Sequence, residues 1–88
     1  MRIKEGFTLR KILKEYMVVA EGIKNIDFSK IISLNESSAH IWKNMEGKEF
    51  TVEDMARCLT EEYDVEYDTA WADSKVLAEK WIEIGVAE

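Results

Sequence analysis

At Leu34 the apolar residues change period, and this change constrains the fold more than any other feature of the chain. Before it they alternate with polar residues or cluster in β-forming runs. After it they recur every three or four positions, which is the spacing of one helix face. Sheet material followed by helical material leaves one economical solution. An apolar sheet face cannot stay bare, so the helices must lie across it.

Phe7–Ile12 opens the β part with an apolar/polar alternation, and Glu15–Ala20 is rich in β-formers. Lys14-Glu15 reads as the tight connection between them, and Gly22 to Asn25 as a second turn. Ile26 to Leu34 supplies a third extended segment. Short connections favour an antiparallel meander. Asn35 then reads as an N-cap, with Ala39, Ile41, Trp42 and Met45 on the inner face of a helix that Gly47 stops. Thr51 and Asp54 have capping-box spacing, and Phe50 and Met55 occupy staple positions. Val52, Met55, Ala56 and Leu59 form the buried stripe of the second helix. The third helix is expected over Tyr67–Ile84, with Ala70, Ser74, Leu77, Ala78, Trp81 and Ile82 inward and Gly85 at its end. The expected fold class is α+β: a three-stranded antiparallel sheet followed by three helices. It is similar to a winged helix-turn-helix with the sheet placed first. A length of 88 residues suits a single domain spanning 1–88.

The formal charge of −6 is unevenly spread. Residues 1–24 hold 6 bases and 3 acids, whereas residues 51–88 hold 3 bases and 11 acids. A nucleic-acid partner needs a basic face, and the helical part does not offer one. No run approaches the roughly 18 apolar residues of a membrane span, and Met1 to Arg10 lack the apolar core of a signal peptide. The expected location is therefore cytoplasmic, with neither membrane nor nucleic acid as partner. His40 is the only histidine and Cys58 the only cysteine, so no Cys/His zinc cluster and no intrachain disulfide can form. Cys58 is expected to be a buried, inert thiol despite Arg57 beside it. Asp64, Glu66 and Asp68 have the spacing that opens a calcium loop, but Thr69 and Lys75 stand where that loop needs glycine and glutamate. No phosphate loop or nucleophile–base pair is present, and the chain is expected to be neither an enzyme nor a cofactor carrier.

In order along the chain stand Phe7-x-Leu9-Arg10, Tyr16-x-Val18-Val19, Asp27-Phe28 and Ile31-Ile32-x-Leu34-Asn35-Glu36. Then come Ala39-x-Ile41-Trp42, Gly47, Phe50-Thr51, Leu59-x-Glu61-Glu62-Tyr63-Asp64-Val65 and Ala70-x-x-Asp73. This order and spacing resemble the pyrroloquinoline-quinone synthesis protein D (PqqD) family, from Phe7 to about Val86. One departure is Tyr67, which stands where the family usually opens the third helix with proline. The resemblance implies a recognition element for the leader of a ribosomally made, modified peptide. Such an element presents the leader to a modifying enzyme, often a radical S-adenosylmethionine enzyme. It also implies that the leader adds as a strand beside the third strand, in a groove walled by the third helix.

The physics of an open strand edge fits that mode, since an extended peptide satisfies its unpaired N–H and C=O groups. The expected peptide-binding residues are Ser29, Lys30, Ile31, Ile32 and Ser33 on the strand, with Asp73, Val76, Leu77 and Lys80 on the helix. Ile31 and Ile32 point to opposite faces, and either could be the groove residue. Leu77 suits the core as well as the groove. Asp73 or Lys80 could fix register through charge. Trp42 reads as core, and Trp71, off the inner stripe, as a candidate contact surface. The rival from another class is a winged-helix DNA-binding transcription regulator, but residues 67–84 carry Lys75 and Lys80 against four acids, the wrong sign for a recognition helix. A third option is a homodimer, invited by the open edge and Trp71.

Overall fold

The computed structural model describes residues 1–20 and 32–88. Strands β1 (Phe7–Ile12), β2 (Glu15–Ala20) and β3 (Ile32–Leu34) pair antiparallel in the order β1-β2-β3. Helices α1 (Glu36–Met45), α2 (Val52–Glu62) and α3 (Tyr67–Ile84) follow, so the α+β order read from the period change is the order found. The turn expected at Gly22–Asn25 and the strand expected over Ile26–Ile31 lie outside the described residues.

Register decides which sheet face is buried. Val18 pairs with Leu9 and Ile32, and Tyr16 with Lys11 and Leu34. Alternation therefore puts Phe7, Leu9, Tyr16, Val18, Ile32 and Leu34 on one face. All six belong to or pack against the core cluster, so this face meets the helices. The β1–β2 connection lies one residue before the expected Lys14-Glu15. Ile12 pairs with Glu15, which leaves Leu13-Lys14 as the turn. Leu13 takes a φ of 59° and is 92% exposed. For a residue with a β-carbon this left-handed backbone costs roughly 1–2 kcal/mol. The turn carries none of the Gly, Asn or Asp that mark two-residue hairpins, which is why the sequence misplaces it.

The helix starts follow their caps. Asn35 Oδ1 accepts from the Ser38 N–H at 2.8 Å. The capping box of α2 is complete, with Asp54 N–H donating to Thr51 Oγ1 at 3.2 Å and Thr51 N–H to Asp54 Oδ2 at 2.9 Å. The bond from the Thr51 backbone, with help from the Thr51 hydroxyl, holds the Asp54 carboxyl below its ordinary pKa. Thr51→Ala is expected to destabilise the fold by about 1 kcal/mol, read as a lower urea midpoint at unchanged slope. Helix α3 has no side-chain cap at Glu66 but ends firmly at Gly85, whose φ of 97° suits glycine. Past Gly85 the chain returns along its own N-terminus. Arg2 N–H donates to the Glu88 carbonyl at 2.8 Å, Glu88 N–H to the Arg2 carbonyl at 2.9 Å, and Lys4 N–H to the Val86 carbonyl at 3.0 Å. This short ribbon buries Ile3, Val86 and Ala87.

At the centre Trp42 and Trp81, both fully buried, meet edge to face with centroids 5.1 Å apart. Ala70, Ser74 and Ala78 keep α3 thin where it packs on Met55, Ala56 and Leu59 of α2. Ile82 departs from the expected inner face: it is half exposed, because the α3 stripe turns away from it toward Trp81. Trp71, read as a candidate contact surface, is half-buried against the core, with the Lys75 ammonium 5.6 Å from its ring centre. Ser74 is fully buried and its hydroxyl has no hydrogen-bond partner among the described residues. Removing an unsatisfied buried hydroxyl recovers desolvation cost, and alanine is the better helix former. Ser74→Ala is therefore expected to raise stability by about 1 kcal/mol, seen as a higher thermal midpoint.

Candidate functional site

Strand β3 ends the sheet, and among the described residues no further strand pairs with its outer edge. Beside this edge α3 rises as a wall, leaving a groove of about 580 Å³. Six of the expected site residues line it together: Ile32 and Ser33 from β3, and Asp73, Val76, Leu77 and Lys80 from α3. The other three, Ser29, Lys30 and Ile31, lie outside the described residues. Ile32 both packs on the core and lines the groove, as does Leu77. The two roles offered for Leu77 are thus both occupied. Ile32 stands on the helix-facing side of the sheet, opposite Val18.

The helix contributes through its period. Asp73, Val76/Leu77, Lys80 and Ile84 recur at i, i+3/i+4, i+7 and i+11, which is one stripe down α3. Asp73 and Lys80, two turns apart, stand about 10 Å from each other along the axis. The wall therefore has an acid and a base with aliphatic side chains between them. Val76 is 66% exposed, an unusual state for valine on a helix that otherwise packs well. Leu34, Ile41, Leu59 and Trp81 also line the groove, and Asn35, Ser37 and Ser38 line it with polar groups from the start of α1. Sequence reasoning missed these. Their apolar members read simply as core, and the polar ones as a helix start. The available signal was that α1 begins directly after β3, so its first turn must adjoin the strand edge.

The other candidate chemistries find structural roles. Cys58 is buried, and burial foremost pushes its thiol pKa up. Little thiolate is then present at neutral pH. Arg57, its neighbour in sequence, is paired with Asp54 at 3.5 Å. His40 sits edge-on to Tyr63 at 5.9 Å. No cluster of three or more metal-ligating side chains occurs among the described residues. No helix among them is long and apolar enough to cross a membrane.

Together, sheet, helices and groove define a small α+β module with an open cleft between its edge strand and its last helix. The chain belongs to the coenzyme PQQ synthesis protein D (PqqD) family, whose model matches residues 15–86. Among solved structures it is similar to TbiB1 in complex with the TbiA(beta) leader peptide, at 19% sequence identity and a TM-score of 0.75. That match covers 100% of this chain and 95% of the other, and it supports the fold. No curated protein sequence matches the chain.

Proposed function

We propose that residues 1–88 act as one peptide-recognition domain, a cytoplasmic adaptor that captures the leader of a ribosomally made precursor and presents it to a modifying enzyme. The observation that carries this reading is the groove itself: a strand edge that no other strand among the described residues pairs with, facing a helix wall that carries an exposed valine. An extended leader would pair with β3 through its backbone and place alternate side chains against Ile32, Val76 and Leu77. Asp73 and Lys80 would select charge and fix register. Membership in the PqqD family and likeness to a protein solved with a leader peptide support the same role. Such an adaptor needs no cofactor and performs no chemistry. The enzyme, for example a radical S-adenosylmethionine enzyme, would supply the reaction and dock on a face other than the groove.

The test is an NMR titration of the labelled protein with synthetic leader peptides tiled from short reading frames beside its gene. Shifts are expected to cluster on β3 and the groove face of α3, with new protection of amides on the β3 edge. Absence of binding to every such peptide, with salt-sensitive binding to duplex DNA instead, would overturn the proposal.

A further inference from the structure

Among the described residues, Asp73 and Lys80 are the only charged side chains that line the groove. Both are exposed, and among the described residues neither side chain has an ion-pair or hydrogen-bond partner. They cannot pair with each other across about 10 Å of helix axis. Helix spacing offers Asp73 no other base: Thr69, Ala70, Val76 and Leu77 stand three and four positions away. Lys80 has Glu83 three positions on, but Glu83 does not line the groove and does not pair with it. The wall thus presents one acid and one base, both unanswered, with the exposed Val76 between them.

The lining stripe runs from Asp73 to Ile84, so the groove follows α3 for about 16 Å. An extended chain lying in it turns every second side chain to the wall, at intervals of about 7 Å. Between a partner for Asp73 and a partner for Lys80 one more side chain must face Val76 and Leu77. That sets the spacing at i, i+2 and i+4. Positions i and i+4 stand about 13 Å apart, and long side chains close the difference of about 3 Å from the separation on the helix.

We propose that the groove selects a peptide segment carrying a base and an acid four residues apart, with an aliphatic residue midway. The base meets Asp73, the acid meets Lys80, and the aliphatic side chain packs on Val76 and Leu77. This rests on the groove being the leader site and names the leader chemistry it takes. Pairing with β3 fixes the direction of the peptide backbone, so only one order of the two charges brings each to its partner. The opposite order sets like charges together, which excludes it. Asp73 and Lys80 are then specificity-determining residues that act as a pair.

The experiment uses the full chain and, as host, whichever tiled peptide binds it, with its register on β3 mapped by NMR. The groove-facing positions i and i+4 are set to Lys and Glu in one probe and to Glu and Lys in the other, with Val at i+2. Fluorescence anisotropy gives the Kd of each. The two orders should differ about 10-fold, because reversal turns two screened attractions into two repulsions. The variant D73K/K80D should invert the preference, and D73N/K80Q should abolish it. Added salt should shrink it. Both positions are exposed, so the far-UV circular dichroism of the variants should match the parent. Equal affinity of the two probes for the parent, or a preference unmoved in D73K/K80D, overturns the charge pattern and leaves the groove as the leader site. Absence of binding to every tiled peptide overturns both.

Discussion

Trp81→Ala is expected to lower the unfolding free energy by about 3–5 kcal/mol. Trp81 is fully buried, packs edge to face on Trp42, and its carbonyl accepts N–H bonds from Gly85 at 3.1 Å and Val86 at 3.0 Å. It thus joins three things: the helical core, the end of α3, and the ribbon that ties the C-terminus to Arg2 and Lys4. A domain of 88 residues has only about 4–13 kcal/mol in total, so this loss is a large share of its stability and should shift the urea midpoint strongly downward. Trp81→Phe is the informative companion. The indole Nε1–H is buried with no hydrogen-bond partner among the described residues. Phenylalanine removes that orphan donor while keeping an aromatic ring, and the lost volume is partly offset. Its expected cost is about 1–2 kcal/mol. Urea unfolding followed by far-UV circular dichroism measures both. Equal costs for the two variants would show that Trp81 is anchored through its indole N–H rather than through packing.

The two tryptophans also show how far a sequence of this kind can be read. Trp42 and Trp81 fall on helical stripes, and stripes are set by period, which local sequence carries in full. Capping is similarly local: Thr51 and Asp54 are three residues apart, and the box they form is legible because both its partners lie in one turn. The hairpin is less legible. Register is fixed by pairing across strands, and with Leu13 forced into a left-handed turn no glycine or asparagine advertises the corner. The N- and C-terminal ribbon was not legible at all, since three-residue segments have no period and the partners lie at opposite ends of the chain. The helix side of the groove follows from what the family resemblance implies together with helical spacing, whereas its floor does not. Ile41, Leu59 and Trp81 are buried like any core residue, and only the packing of the elements shows that they also border the groove. Ile82 fails for the converse reason. It lies one position after Trp81 on the helix, and a rotation of about 100° is enough to carry it out of the core.

Val76→Asp is expected to weaken leader binding by about 10- to 100-fold, which is the usual range for losing a central apolar anchor. The fold should not notice. Val76 is 66% exposed, and surface substitutions of that kind stay within about 0.5 kcal/mol. In the complex the situation reverses. A peptide strand between β3 and α3 would bury position 76 against apolar side chains, and a carboxylate there would have to lose its water without gaining a partner. Asp73, one turn before it, adds repulsion of like sign. Ile82→Asp separates this effect from a general loss of apolar surface. Ile82 is 50% exposed on the same helix but does not line the groove, so its replacement should leave the Kd unchanged. Calorimetry with one leader peptide and both variants makes the comparison. If Ile82→Asp weakened binding as much as Val76→Asp, the peptide would be lying on the outer face of α3 and not beside β3. The loss for Val76 alone would mean that the exposed valine stays exposed because the free domain keeps a place open for another chain's side chain.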